Sequence, residues 1–216
     1  MMNLMVKEIF LSIQGEGSRA GLPCVMVRLA GCNMRCSWCD TAYAWEGGEA
    51  MDIDQIVARV RSLGCGRVEV TGGEPLMQAA TRQLIEALVR ERFETLLETN
   101  GSYDIRGIAD LAVRIMDVKC PSSGMSKMML WSNMQELRAT DEVKFVIADR
   151  ADYEYARDVI ARCNLTGRCE IILSPLDARA PAQLAKWILE DRLDVRLGLQ
   201  LHKIIWPDGE EGLHQT

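Results

Sequence analysis

The feature that most constrains the fold of this 216-residue chain is an alternation of short apolar runs with amphipathic segments. Runs of β-branched residues predict strands, and apolar residues three or four positions apart predict helices. The predicted strands are Val25–Leu29, Arg67–Thr71, Thr95–Glu98, Val113–Val118, Val143–Ile147, Glu170–Leu173 and Val195–Leu201. Helices are predicted after the N-cap residue Asp52 and over Ala79–Arg92, Ile105–Leu111, Asp152–Arg162 and Ala182–Leu189. Alternating strands and helices are typical of α/β proteins with a parallel sheet.

Seven predicted strands favour a sheet that curls toward a barrel, but the chain is short for eight full βα units. We therefore expect a partial, truncated α/β barrel, with an open doubly wound sheet as the alternative. No repeat, low-complexity tract or Pro/Gly/Ser linker divides the sequence, which predicts one domain over residues 1–216. The polar tail 208–216 matches no pattern that we can assign.

Residue types suited to binding and chemistry cluster directly after the predicted strands. These segments are Cys32–Cys39, Thr71–Pro75, Glu98–Gly101, Asp117–Pro121 and Gln200–His202. The carboxyl ends of parallel strands lie at one edge of a sheet, and binding sites of such folds lie there. The sequence therefore predicts one site assembled from several loops.

Three of the eight cysteines, Cys32, Cys36 and Cys39, share the first of these loops with the spacing Cys-x3-Cys-x2-Cys. Structural zinc usually takes four ligands from separated pairs, whereas three close thiolates suit a four-iron, four-sulfur (4Fe-4S) cluster with one open iron. A zinc site completed by Cys24 or a distant histidine, or three buried thiols, is the alternative. The other cysteines, Cys24, Cys65, Cys120, Cys163 and Cys169, are interpreted as small apolar residues.

The cysteine spacing, followed one βα unit later by Thr71-Gly-Gly-Glu-Pro75, resembles the radical S-adenosylmethionine superfamily. Within that superfamily the chain resembles the 7-carboxy-7-deazaguanine synthases, through Gln14-Gly-Glu-Gly17, Arg28-Leu-Ala-Gly-Cys32, Trp38-Cys-Asp-Thr41, Glu98-Thr-Asn-Gly101, Asp117-Val-Lys-Cys-Pro-Ser-Ser123 and Gln200-Leu-His-Lys203. The resemblance implies a lyase that contracts the ring of 6-carboxy-5,6,7,8-tetrahydropterin to 7-carboxy-7-deazaguanine with loss of ammonia, on the biosynthetic route to queuosine and other 7-deazapurines. A 5′-deoxyadenosyl radical from S-adenosylmethionine would carry the chemistry, so no side chain is predicted to act as a catalytic acid or base.

The resemblance also implies roles for individual residues. Cys32, Cys36 and Cys39 would ligate the 4Fe-4S cluster, and Thr41 would ligate Mg²⁺. Contacts to S-adenosylmethionine are expected from Trp38, Asp40, Gly73, Glu74, Asp117, Val118 and Lys119. Contacts to the pterin are expected from Ile13, Gln14, Gly15, Glu16, Arg28, Thr71 and His202.

Two other functions remain open from the sequence. An enzyme that installs a glycyl radical on a partner protein shares the cysteine spacing, but it lacks the Gln14–Gly17 and Trp38–Thr41 motifs. A carrier of an iron–sulfur cluster or zinc without catalysis would need a fourth cysteine ligand. It would also leave the glycine-rich segment Thr71–Pro75 without a purpose.

Composition limits the partners and the compartment. Lys and Arg number 25 and Asp and Glu 31, so the net charge of −6 disfavours a nucleic-acid partner. The first 13 residues contain Lys7 and Glu8 and no long apolar run, so we expect no signal peptide, no membrane association and a cytoplasmic protein. The family resemblance implies a homodimer that receives electrons from a flavodoxin or ferredoxin.

Overall fold

The computed structural model describes residues 3–108, 110, 112–177 and 181–206, and the described residues form one nine-stranded sheet. The polar tail and Pro207 lie outside this range. The strands are β1 (Asn3–Ile13), β2 (Pro23–Leu29), β3 (Glu49–Asp52), β4 (Arg67–Gly72), β5 (Glu94–Thr99), β6 (Val113–Asp117), β7 (Glu142–Ile147), β8 (Glu170–Pro175) and β9 (Arg196–Leu197). Their spatial order is β3-β1-β2-β4-β5-β6-β7-β8-β9.

The order of the parallel strands decides between the two predicted architectures. From β2 through β4 to β9, every neighbouring pair is parallel and follows the order of the chain. A doubly wound sheet would instead reverse its strand order at a switch point. In the described residues the sheet ends at β3 and β9 and does not close, which confirms the truncated α/β barrel.

Two antiparallel strands were not predicted. β1 pairs with β2 on one side and with β3 on the other. Strand β1 contains an irregularity between Val6 and Glu8 that shifts its register, so its pattern of buried and exposed residues does not alternate simply. This irregularity concealed the strand in the sequence.

Helices pack on one face of the sheet through apolar side chains. They are α1 (Ile53–Ser62), α2 (Thr81–Arg90), α3 (Arg150–Arg162) and α4 (Pro181–Glu190). The short α5 (Leu201–Ile205) has no fully buried residue and does not pack in this layer. The predicted N-cap of α1 is confirmed. The Asp52 side chain accepts from the Gln55 backbone amide, and the Gln55 side chain accepts from the Asp52 backbone amide. Val68 and Val70 of β4 belong to the same buried cluster as Leu84 and Leu88 of α2. Among the described helices, none has the length and apolar character needed to cross a bilayer.

Two predicted elements differ from the structure. The last strand covers only Arg196–Leu197 rather than Val195–Leu201, because the chain turns after Gly198 and the Leu201 amide donates to the Gly15 carbonyl oxygen at 2.9 Å. His202 therefore lies on a helix. The helix predicted over Ile105–Leu111 is a single 3₁₀ turn, Arg106–Ile108, within its described residues.

A fully buried ion pair ties the start of β6 to the segment before β7. Arg114 and Asp141 are both 0% exposed, and the Asp141 carboxylate also accepts from the backbone amides of Arg114 and Arg138 at 3.1 and 2.8 Å. The Arg114 guanidinium donates further to the carbonyl oxygen of Ile105. Since its polar atoms are paired, this ion pair fixes the local backbone path, and removal of one partner leaves a buried charge.

We expect Arg114→Met to lower the free energy of unfolding by about 3–5 kcal/mol, because it leaves Asp141 charged and buried. Urea unfolding of the cluster-free protein measures this change. Arg61→Met is the matched control, since the Arg61–Glu91 pair lies at the surface and should contribute about 0–1 kcal/mol. Equal effects of the two substitutions would contradict the prediction.

Candidate active site

A cleft opens at the carboxyl ends of the parallel strands, where the sequence predicted a site. Its walls come from the loops after β1, β2, β4 and β6 and from α5. The predicted residues that line it are Ile13, Gln14, Gly15, Glu16, Arg28, Cys32, Cys36, Trp38, Cys39, Asp40, Thr41, Thr71, Gly73, Asp117, Lys119 and His202. Residues separated by up to 189 positions in the chain thus share one cleft.

The cysteine loop is held in place by the segment that follows β6. The Ser37 amide donates to the Ser123 carbonyl oxygen at 3.1 Å, and the Trp38 indole donates to the Ser122 hydroxyl at 3.1 Å. Lys119 lies over the Trp38 ring, 5.5 Å from its centre. These contacts place Cys36 and Cys39 beside Asp117 and Lys119.

Cys32, Cys36 and Cys39 line the same cleft, as three thiol ligands of one 4Fe-4S cluster would. Burial raises the pKa of the Cys32 and Cys36 thiols, so binding of iron would displace protons from them.

Two further observations fit a ligand beside the cysteines. The Asp117 Oδ1 atom is buried and makes no hydrogen bond among the described residues, while its Oδ2 atom accepts from Lys119 at 2.7 Å. A β-carbon added to Gly73 would lie 2.2 Å from the Gly31 carbonyl oxygen, so only glycine fits there. A polar acceptor and a narrow backbone cradle suit the amino acid part of S-adenosylmethionine.

Two predicted cofactor contacts do not present their side chains to the cleft. Glu74 is fully buried and accepts from the backbone amides of Leu76 and Asn100 and from the Thr99 hydroxyl, at 2.7–3.0 Å. Burial raises the pKa of Glu74 to about 7. Val118 packs in the apolar core. Any contact from these two residues would involve their backbone.

A buried ion cluster lies in the cleft wall and centres on Lys144 of β7. The Lys144 ammonium group lies 2.6 Å from Glu16, 2.5 Å from Glu98 and 3.7 Å from Asp117. Burial alone would lower the pKa of Lys144, but these carboxylates raise it well above its ordinary value. Burial alone would raise the pKa of Glu98, but Lys144 holds it at about 2. Lys144 and Glu98 therefore stay ionised at neutral pH.

Arg28 and Gln14 also line the cleft. The Arg28 Nε atom donates to Glu8 at 2.7 Å, and the guanidinium lies against the rings of Phe10 and Tyr43. Gln14 donates through Nε2 to the carboxylate of Glu69, a buried residue of β4. Burial raises the pKa of Glu69 well above its ordinary value, and the Glu98 carboxylate raises it further.

Thr41, Asp40 and His202 lie near the mouth of the cleft. The Thr41 hydroxyl is 3.7 Å from the Cys39 sulfur and makes no capping bond to the short turn that follows it. Asp40 is 3.2 Å from Lys203, which lowers the pKa of Asp40 although burial opposes that change. His202 packs so closely on Gly15 that a β-carbon there would lie 2.2 Å from its Nδ1 atom.

Seven polar residues of the cleft were assigned no individual role from the sequence: Ser12, Glu69, Glu98, Thr99, Asn100, Lys144 and Gln200. Glu98, Thr99, Asn100 and Gln200 lie in segments that the sequence predicted to form the site. Glu69 and Lys144 lie inside predicted strands, each between apolar neighbours. Gln200 donates to Glu16 at 2.9 Å and accepts from Lys203 at 2.9 Å. Cys24 and Cys120 are fully buried, as expected for apolar filling residues, and Cys65, Cys163 and Cys169 are partly buried.

Comparison with known proteins agrees with this geometry. Residues 26–118 match the radical SAM superfamily. The structure superposes on that of QueE from Escherichia coli with a TM-score of 0.78 and 23% identity, over 93% of this chain and 95% of that one. The fold and the cysteine loop thus define a radical S-adenosylmethionine enzyme, which uses a 4Fe-4S cluster and S-adenosylmethionine.

Two curated relatives identify the family of this chain within the radical S-adenosylmethionine enzymes. The 7-carboxy-7-deazaguanine synthase of Koribacter versatilis is 44% identical, with 97% of this chain and 100% of that protein aligned. The enzyme of the same name from Chlorobaculum tepidum is 45% identical over 97% of each chain. The chain belongs to the 7-carboxy-7-deazaguanine synthase family. Identity over nearly the whole length argues against both a glycyl-radical activase and a non-catalytic carrier.

The ion cluster predicts how stability depends on pH. Because the folded-state pKa of Glu98 is about 2 and its ordinary value is 4.5, its contribution to stability is present above pH 4.5 and is lost as the pH falls toward 2. We expect the free energy of unfolding to fall more steeply over this range in the parent than in Glu98→Gln. Urea unfolding of both cluster-free proteins in steps of pH measures the two slopes, and parallel curves would contradict the prediction.

Proposed function

We propose that this enzyme contracts the ring of 6-carboxy-5,6,7,8-tetrahydropterin to form 7-carboxy-7-deazaguanine and ammonia. One observation carries the proposal: the three cysteines and the polar residues after β1, β2 and β4 line a single cleft. The names of the aligned relatives support the same product. The product would enter the biosynthesis of queuosine and related 7-deazapurines.

The pterin would lie on the side of the cleft formed by β1, β2 and β4. Arg28, held by Glu8, would bind the substrate carboxylate through its guanidinium group. Gln14, Glu16, Thr71 and His202 would donate and accept hydrogen bonds at the edges of the heterocycle. Ile13 would contact the ring through its apolar side chain, and Gly15 would contact it through its backbone.

S-adenosylmethionine would lie between the cysteine loop and the segment after β6. When bound to Cys32, Cys36 and Cys39, the cluster would supply the electron that begins the radical chemistry, and no side chain of the cleft is assigned as a catalytic acid or base. Trp38, Asp40, Asp117 and Lys119 would orient the cofactor and exclude water around it. Because Gly73 has no side chain, the amino acid part of S-adenosylmethionine would approach the backbone there. Glu74 and Val118 would contribute backbone groups.

Thr41 would supply one oxygen ligand to Mg²⁺. Magnesium commonly takes one or two oxygens from protein and the rest from substrate and water. The Thr41 hydroxyl lies in the cleft and makes no capping bond, so it is suited to this role. The substrate carboxylate would provide further oxygens.

The proposal extends to partners and location. The cluster would accept electrons from a flavodoxin or ferredoxin, and the family resemblance favours a homodimer. With a net charge of −6 and cleft lysines engaged in ion pairs, we infer no nucleic-acid partner. We further propose that residues 1–216 act as one domain in the cytoplasm.

Anaerobic reconstitution of the cluster, followed by reductant, S-adenosylmethionine and the carboxylated tetrahydropterin, should yield 7-carboxy-7-deazaguanine. Chromatography with mass detection measures the product. Cys36→Ala should abolish it and reduce bound iron, because the cluster loses a ligand. Cys65→Ala is the matched control and should retain both, since Cys65 lies outside the cleft. A cluster-loaded parent that makes no product would refute the proposed reaction.

Thr41→Ala should lower kcat/KM by about tenfold or more at limiting Mg²⁺, because one metal ligand is lost. Its iron content and its cleavage of S-adenosylmethionine should stay at the parent's level. Titration of activity with MgCl₂ measures the effect as a higher Mg²⁺ requirement. Identical titration curves for variant and parent would exclude Thr41 as a ligand.

A further inference from the structure

Glu69 is a buried carboxyl group in the cleft that none of the roles above uses. It lies on β4 between Val68 and Val70, whose side chains pack against the helices, so Glu69 points to the opposite, inner face of the sheet. It is 2% exposed and pairs in register with Met26 and Leu96. Because Thr71 lies two residues further toward the carboxyl end of the strand, Glu69 forms the layer of the cleft beneath it.

The carboxylate of Glu69 holds one end of the Gln14 side chain. The Gln14 Nε2 atom donates to Glu69, and the Gln14 Oε1 atom accepts from the Glu16 backbone amide at 3.2 Å. A carboxamide has nearly the same shape when its nitrogen and oxygen are exchanged, so only its partners decide its orientation. An acceptor on one side and a backbone donor on the other permit a single orientation of Gln14.

The orientation of the Gln14 carboxamide decides which hydrogen-bonding edge of a heterocycle it can pair with. An oriented carboxamide presents one N–H donor and one C=O acceptor in fixed positions, and that pair is complementary to a lactam edge, which carries a carbonyl oxygen beside an N–H group. The exchanged orientation would complement an aminopyrimidine edge, in which an amino group stands beside a ring nitrogen acceptor. The partner of Gln14 therefore determines which of the two edges binds.

We propose that Glu69 is a positioning residue that fixes the Gln14 carboxamide so that the cleft selects a pteridine with a 4-oxo lactam edge over its 4-amino counterpart. This inference rests on the proposed function, since it concerns the heterocycle that the same cleft binds. Glu69 acts only through Gln14 and is assigned no part in the radical chemistry. Glu69 lines the same cleft as Thr71 and Glu98, and the Thr71 hydroxyl donates to the Glu98 carboxylate at 3.0 Å.

The test compares the binding of two unreactive probes to the cluster-loaded enzyme with S-adenosylmethionine and without reductant. Pterin-6-carboxylate carries the lactam edge, and 2,4-diaminopteridine-6-carboxylate carries the amino edge. The parent should bind the first at least about tenfold more tightly, because the second mismatches donor with donor and acceptor with acceptor. Calorimetry or fluorescence titration measures both dissociation constants.

Glu69→Met removes the acceptor at nearly constant volume, and it should reduce this ratio at least about fivefold. Glu69→Gln is the matched control, because its carbonyl oxygen can still accept from Gln14 while the Glu16 amide holds the Gln14 oxygen, and it should keep most of the ratio. A purely structural role would change the melting temperature but not the ratio between two probes of the same shape.

The outcomes separate this inference from the proposed function. If Glu69→Met retains the parent's ratio while the parent forms 7-carboxy-7-deazaguanine, the positioning role is wrong and the function stands. If the parent binds neither probe and forms no product, the proposed function itself fails. Should Glu69→Met not fold, Glu69→Thr replaces it, since its side chain is too short to reach Gln14. Failure of both to fold would show that Glu69 serves the fold alone, which overturns the inference.

Discussion

The ion cluster around Lys144 is the interaction on which the rest of the site depends. It connects β7 to the loop after β1 through Glu16, to β5 through Glu98 and to β6 through Asp117. Three carboxylates around one buried ammonium group would repel one another without it. A buried ion pair adds little net stability compared with apolar packing, but its directional bonds allow few alternative arrangements. Its main effect is therefore to fix three strands and the loop after β1 relative to one another.

The same cluster influences the charges in the cleft. Lys144 keeps Glu98 ionised, and burial together with the Glu98 carboxylate raises the pKa of Glu69 one strand away. Lys119 forms a second pair with Asp117 and lies over Trp38, so a positive charge stands beside the cysteine loop. The cleft thus places cations among its carboxylates on the cysteine side, and a buried carboxyl group with a raised pKa, Glu69, on the β4 side. This arrangement follows from alternation in the strands, which sends apolar residues to the helices and polar ones inward.

The parts predicted from the sequence are those with a local signal. The cysteine spacing, the capping box at Asp52 and the order of strands and helices each depend on residues close together in the chain. Glu69 and Lys144 have no such signal, because a charged residue within a strand looks the same whether it faces water or a buried cleft. Strand β1 was missed because its register shifts at Lys7, and the last predicted strand was too long because the turn after Gly198 depends on a contact with Gly15. These errors share one cause, which is that distant parts of the chain decide the local structure.

Helix α5 is important for the site because the described sheet leaves a gap between its two edge strands. In the described residues, the sheet does not close through strand pairing, and α5 instead contacts the β1 side of the cleft. The Leu201 amide binds Gly15, Gln200 binds Glu16, and Lys203 binds Asp40 of the cysteine loop. Of the residues that make these contacts, Gly15, Glu16, Asp40 and Gln200 also line the site. Through these contacts, α5 and the residue before it connect Gly15 and Glu16 to the cysteine loop. The same contacts therefore complete the fold at this edge and hold the site together.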